Sequence, residues 1–91
     1  MTVKEFLEML KVWSVKAGAS LNLFSDSYPK GIGASVLIDD ETNSIRVRLK
    51  DGIEIDRKLH QCTWGGAKQY GRIWARSKTK GEELLHFVLV A

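Results

Sequence analysis

Cysteine is nearly absent: Cys62 stands alone, so no disulfide can form within the chain. A lone thiol fits a reducing compartment, and Met1 leads straight into a charged helical pattern rather than a signal peptide. Cytoplasmic residence is the expectation. Proline is as scarce, with Pro29 the sole example, and no low-complexity tract is present. Both argue against disorder. No apolar run approaches the roughly 18 residues of a membrane span, which points away from a membrane. At 91 residues with 44% hydrophobic content, the chain suits one domain with one core, residues 1–91.

The most informative shortage is of negative charge. No Asp or Glu occurs between Asp56 and Glu82. That stretch holds Arg57, Lys58, Lys68, Arg72, Arg76, Lys78 and Lys80, half of the 14 basic residues. The other half shares the chain with all 11 acidic ones, so a formal net charge of +3 conceals a polarised distribution. Trp64, Tyr70 and Trp74 lie among the cations. Basic residues interleaved with aromatics are the compositional mark of a nucleic-acid surface, although the same pattern serves a solvated face over a core.

Local structure follows from periodicity. Thr2-Val3-Lys4-Glu5 has the form of a capping box. Apolar residues follow at Val3, Phe6, Leu7, Leu10, Trp13 and Ala17, which predicts a helix over residues 2–17 ended by Gly18. Trp13 falls in its core phase, and Met9 and Val12 are expected to widen the apolar face. Leu21–Phe24 reads as a short strand. Residues 25–33 read as loop, with Tyr28-Pro29-Lys30-Gly31 as a turn. From Ala34 the period is two: Val36 and Ile38 share a face, 39–44 is a polar turn, and Ile45, Val47 and Leu49 resume the alternation.

The next hairpin fixes its own register. A three-residue loop, Lys50-Asp51-Gly52, with Gly52 left-handed, sets Val47 beside Ile55, Arg48 beside Glu54 and Arg46 beside Asp56. A two-residue loop would mix the faces. Arg46 and Arg48 are therefore expected to be answered across the strands. Residues 59–67 read as irregular, broken at Gly65-Gly66. Residues 78–81 read as a turn. Leu84–Val90 reads as a strand, either central or covered by a partner, and pairing with its copy would make a homodimer.

Residues 68–78 admit two readings. As a strand, Lys68, Tyr70, Arg72, Trp74, Arg76 and Lys78 share one face, with Ile73 and Ala75 on the other. Bases could stack there while cations hold phosphates. As a helix, Lys68, Arg72 and Arg76 still align, but Tyr70 and Trp74 turn to the core. The glycines disfavour helix, and Tyr70, Ile73 and Trp74 favour strand. Lys68-Gln69-Tyr70-Gly71-Arg72-Ile73 is locally similar to the sheet motif of RNA recognition motif domains. The similarity covers about eight residues and is one of chemistry rather than membership.

Catalytic and metal chemistry find little support. His60 and Cys62 are close in sequence but His86 is remote, short of the three or four spaced ligands a zinc site needs. His86 reads as a core histidine in an apolar strand. Nuclease-type acid–base work would need the two histidines together. Gly31-Ile32-Gly33 and Gly65-Gly66 match no phosphate-binding fingerprint and read as turns. Trp64 is either a floor for the sheet or an exposed anchor.

The expected fold is α+β: an N-terminal amphipathic helix on an antiparallel sheet of four to six strands. The expected function is a non-enzymatic, cofactor-free nucleic-acid-binding module. Its contacts would be Lys68, Tyr70, Arg72, Trp74, Arg76, Lys78 and Lys80, reaching the phosphate backbone and, on a single strand, the bases. The rival is a small protein-binding module or inhibitor that docks on a larger acidic-surfaced or nucleic-acid-handling protein, since Trp and Arg also make protein hot spots.

Overall fold

A computed structural model describes residues 1–91. The capping box forms: the Glu5 N–H donates to Thr2 Oγ1 and the Thr2 N–H donates to Glu5 Oε1, both at 3.1 Å. Helix α1 (Val3–Ser14) follows. It ends three residues short of the expected Ala17. The Ser14 hydroxyl donates to the Leu10 carbonyl at 2.6 Å, and the Val15 N–H reaches back to Val12, a tightened final turn. Phe6, Leu7, Leu10 and Trp13 are buried. Val12 does not widen that face; it is 49% exposed.

Seven strands follow: β1 (Ser20–Ser25), β2 (Tyr28–Asp39), β3 (Ser44–Leu49), β4 (Glu54–Lys58), β5 (Cys62–Ala67), β6 (Arg72–Ser77) and β7 (Leu85–Val90). They form one antiparallel sheet in the order β4-β3-β2-β1-β7-β6-β5. The architecture is a helix on a sheet, α+β as expected, but with seven strands rather than four to six. No helix is long and apolar enough to cross a membrane.

The extra strand material lies where glycine and proline suggested loops. Residues 28–33 are the first half of β2, and the hairpin turn is only Asp26-Ser27, with Ser25 opposite Tyr28. Pro29 is tolerated because it lies in a bulge of β2, where Pro29, Lys30 and Gly31 stand against Phe24 alone, and short of Ala34, where pairing with β3 begins; no ladder donor is needed there. Residues 62–67 are β5, fully paired with β6, so Gly65-Gly66 does not break the chain into loop. Residues 59–61 form a single 3-10 turn.

β2 is shared between two half-sheets: residues 28–33 pair with β1 and residues 34–39 with β3. Gly31, at φ +81°, lies within the β2 bulge. Bulges and glycine kinks are the devices that bend a sheet. The bend is required by the connection between the edges. In a flat seven-stranded sheet the edge strands would be about 29 Å apart. Here Lys58 of β4 and Cys62 of β5 are joined by three residues, which reach at most about 14 Å. The sheet therefore curls around α1, with Leu21, Leu23, Ile45, Val47, Leu49, Ile73, Ala75, Leu85 and Phe87 buried against the helix. Phe6 and Phe87 meet edge to face, centroids 6.3 Å apart.

The hairpin between β3 and β4 has the expected register, with Arg46 opposite Asp56, Val47 opposite Ile55 and Arg48 opposite Glu54. Gly52 takes φ +95°. β7 is central, paired with β1 and β6. That corrects the homodimer expectation, because neither edge of β7 is free to pair with a copy.

Leu10 is fully buried in the core between helix and sheet. Leu10→Ala should cost about 2–5 kcal/mol, whereas Val12→Ala on the exposed side should stay within about 0.5 kcal/mol. Urea unfolding of both variants checks the contrast; equal losses would contradict the packing described.

Candidate functional site

Ile73 and Ala75 are buried on the inner face of β6. Alternation then sends Arg72, Trp74 and Arg76 to the outer face, away from α1. These three expected contact residues come together. The other four do not. Lys68 and Tyr70 lie in a 3-10 turn, Lys68–Tyr70, and Gly71 at φ +70° separates it from β6. The Gly71 N–H donates to the Lys68 carbonyl, and the Gly71 carbonyl accepts from Leu89. A continuous strand over 68–78 is therefore wrong, as is the all-helix alternative. Tyr70 stands 74% exposed off the sheet end, so the likeness to the RNA recognition motif does not extend to its aromatic position. Lys68 sits near the start of α1, where its charge adds slightly to the pull of the Thr2 bonds that hold the Glu5 carboxyl below its usual range. Lys78 and Lys80 lie in the turn beyond the opposite end of β6, with the Lys78 N–H bonded to the Gln61 carbonyl.

The outer face holds two residues that the sequence reading missed. Trp74 is opposite His86 on β7, and His86 is opposite Phe24 on β1. Opposed residues share a face, so Trp74, His86 and Phe24 form one row across three strands. Their parity was available in the sequence: Leu21 and Leu23 face inward, and so do Leu85 and Phe87. The reading of His86 as a core histidine is corrected; it is half-buried within the outer row.

Each end of the row rests on a glycine. The Trp74 indole covers Gly65, where an added Cβ would lie 3.0 Å from Cζ2. The Phe24 ring covers Gly31, where a Cβ would lie 2.6 Å from Cζ. The two rings lean outward from His86 onto β5 and β2. Glycine at these positions lets the rings lie low on the sheet, which is the physical reason both sites looked like breakers in sequence. The adjacent row reads Arg72, Val88, Asn22 and Gly33, with the Lys50 stem packed over Gly33.

Charge on the outer face is divided. On β3 and β4, Arg46 Nε lies 2.8 Å from Asp56 and 3.6 Å from Glu54, and Arg48 Nε lies 3.6 Å from Glu54. Those cations are answered, as expected. Arg72 and Arg76 have no carboxylate within 4.0 Å. No acidic residue projects outward from β5, β6 or β1, and Glu83, just before β7, accepts from the Ser27 hydroxyl. The face is thus cationic at its rim and aromatic at its centre.

Trp64 is neither bare anchor nor free: it packs against the core, and its indole N–H donates to the Met1 carbonyl at 3.0 Å. Cys62 is buried, and burial pushes its thiol above the usual range, which disfavours the nucleophilic thiolate. His60 lies in the turn between β4 and β5, apart from His86. A cleft of about 540 Å³ opens elsewhere, along the seam where Arg57 faces Glu82. No family model, curated protein or solved structure matches this chain.

Burial, and secondarily the charge of Arg72, holds the His86 imidazole below its ordinary value of 6.5. On acidification the unfolded chain takes up this proton first, so the stability linked to neutral His86 is present above about pH 6.5 and lost below it. The thermal midpoint should fall as the pH drops below about 6.5, and His86→Gln should flatten that fall. An unchanged slope in the variant would contradict this environment.

Proposed function

We propose that this protein is a non-enzymatic nucleic-acid-binding module that uses the outer face of β6 and its neighbours. The observation that carries the reading is the grouping of Arg72, Trp74 and Arg76 on one face with no carboxylate to answer the cations. An unpaired guanidinium keeps its fork of donors for an incoming phosphate, and phosphate contacts supply most non-specific affinity. Lys78 and Lys80, beyond one end of β6, and Lys68, beyond the other, extend the positive field without joining the contact face. A reducing, cytoplasmic setting fits the free thiol of Cys62.

A protein partner is the second reading, favoured by the half-buried Trp74 flanked by two arginines, the side-chain pairing that hot spots use. Under it the chain docks, as an inhibitor would, on a larger acidic-surfaced protein. Affinity capture before and after nuclease treatment separates the two: loss of binding on nuclease treatment supports nucleic acid, and a retained partner supports the second.

The charge division gives a sharper test. Arg72→Ala/Arg76→Ala should weaken oligonucleotide binding at low salt by roughly tenfold or more. Arg46→Ala/Asp56→Ala removes an exposed cation together with its partner, leaves the net charge unchanged, and should alter affinity by less than about twofold. Fluorescence anisotropy with a labelled oligonucleotide measures both. A loss in the Arg46/Asp56 variant as large as that in the Arg72/Arg76 variant would contradict the placing of the contact on the unanswered half of the face.

A further inference from the structure

Resting on the nucleic-acid reading, we infer that the ligand is single-stranded, with its bases laid on the Trp74–His86–Phe24 row and its phosphates held at the rim by Arg72, Arg76 and Lys50. The row runs across the strands rather than along one of them. With Gly65 and Gly31 at its ends it crosses five strands, β5, β6, β7, β1 and β2, a width of about 19 Å. The major groove of a duplex, about 12 Å wide, admits a helix or a two-stranded ribbon. This face offers neither. The one long helix packs on the opposite side of the sheet, and the row is a broad surface with its rings lying low. A duplex would therefore meet only the rim cations, with its bases stacked out of reach.

A single strand exposes what this surface can use. Each base has a flat face, and stacking on an aromatic side chain is sequence-tolerant. Trp74 has one ring face on Gly65 and Phe24 caps Gly31, so both are supported from below by backbone rather than by other side chains. Both rings are held in place and remain partly exposed. His86 fills the space between them and, kept uncharged by its surroundings, continues the row as a flat polar ring. The cations flank the row on the β6 side at Arg72 and Arg76, and on the β2 side at Lys50, whose stem lies over Gly33. A strand crossing the row would find positive charge on either side of its bases. The β3–β4 half of the outer face has no aromatic side chain and its arginines are paired, so the strand is steered to one half of the sheet.

The test measures anisotropy of the wild-type protein with a labelled 15-nucleotide mixed-sequence DNA, the RNA of the same sequence, and the corresponding DNA duplex. Single strands should bind at least about tenfold tighter than the duplex. With three rim cations engaged, log affinity against log salt should have a slope near about −2. Phe24→Leu and Trp74→Leu keep apolar cover over Gly31 and Gly65 while removing the ring face. Each should weaken single-strand binding by roughly five- to a hundredfold and leave duplex binding unchanged, with a cooperative melt showing that the fold persists. Trp74→Phe should restore part of the loss. Duplex binding as tight as single-strand binding, or single-strand binding indifferent to both leucine variants, would overturn this inference while leaving the nucleic-acid reading intact. Binding to none of the three probes would overturn that reading as well, and a partner protein retained after nuclease would replace it.

Discussion

Three residues joining the two edges of a seven-stranded sheet impose the constraint on which this structure depends. Leu59, His60 and Gln61 run directly from β4 to β5, the first and last strands in sheet order. The sheet must therefore curl until its edges approach, and α1 fills the space inside. The seam is drawn together by a few contacts. Arg57, with its side chain only 14% exposed, lies 3.5 Å from Glu82, and Lys78 donates to the Gln61 carbonyl. Leu59 is fully buried and its N–H donates to the Asn43 carbonyl. The apolar stripe of the helix and the inward residues of the strands then share one core without a second layer.

Packing the helix on the inner face leaves the outer face of the sheet turned to solvent, and that face divides at β2. On one side the β3–β4 hairpin fixes a register that sets acids opposite arginines. On the other side, β5, β6, β7 and β1 bring together residues remote in sequence: Phe24, Arg72, Trp74, Arg76 and His86. No acid accompanies them, because the acid-free stretch supplies β5 and β6 while the outward positions of β1 and β7 are neutral. The polarised charge of the sequence becomes a positional asymmetry of the fold. The proposed binding face lies on the unanswered half.

Much of this was legible in the sequence wherever local chemistry decides local structure. The capping box at Thr2 and Glu5 and the register of the 50–52 hairpin both follow from short-range rules. The ion pairs of Arg46 and Arg48 then follow from that register. The sequence misled at Gly31, Gly33, Gly65 and Gly66. Glycine signals a turn when only neighbours in sequence are considered. Here Gly31 and Gly65 make room for rings from adjacent strands, and for Gly66 an added Cβ would lie 2.5 Å from the Arg72 carbonyl. Tertiary contact sets these positions, and local pattern cannot report it. Gly71 had the opposite fate: a position that looked internal to a strand ended a turn, which removed Lys68 and Tyr70 from the row. Phe24 and His86 entered the row only once strand order was known, since β1 and β7 lie far apart in the chain and side by side in the sheet.

The most direct test is residue-resolved mapping of the contact face. Two-dimensional NMR of the labelled protein during titration with a 15-nucleotide oligothymidylate follows backbone amides and the indole N–H of Trp74 together. Shifts confined to Arg72, Trp74, Arg76, His86, Phe24 and Lys50, with Arg46 and Arg48 unmoved, are the predicted result. Shifts centred on the Arg57–Glu82 seam or on the paired arginines Arg46 and Arg48 would contradict it.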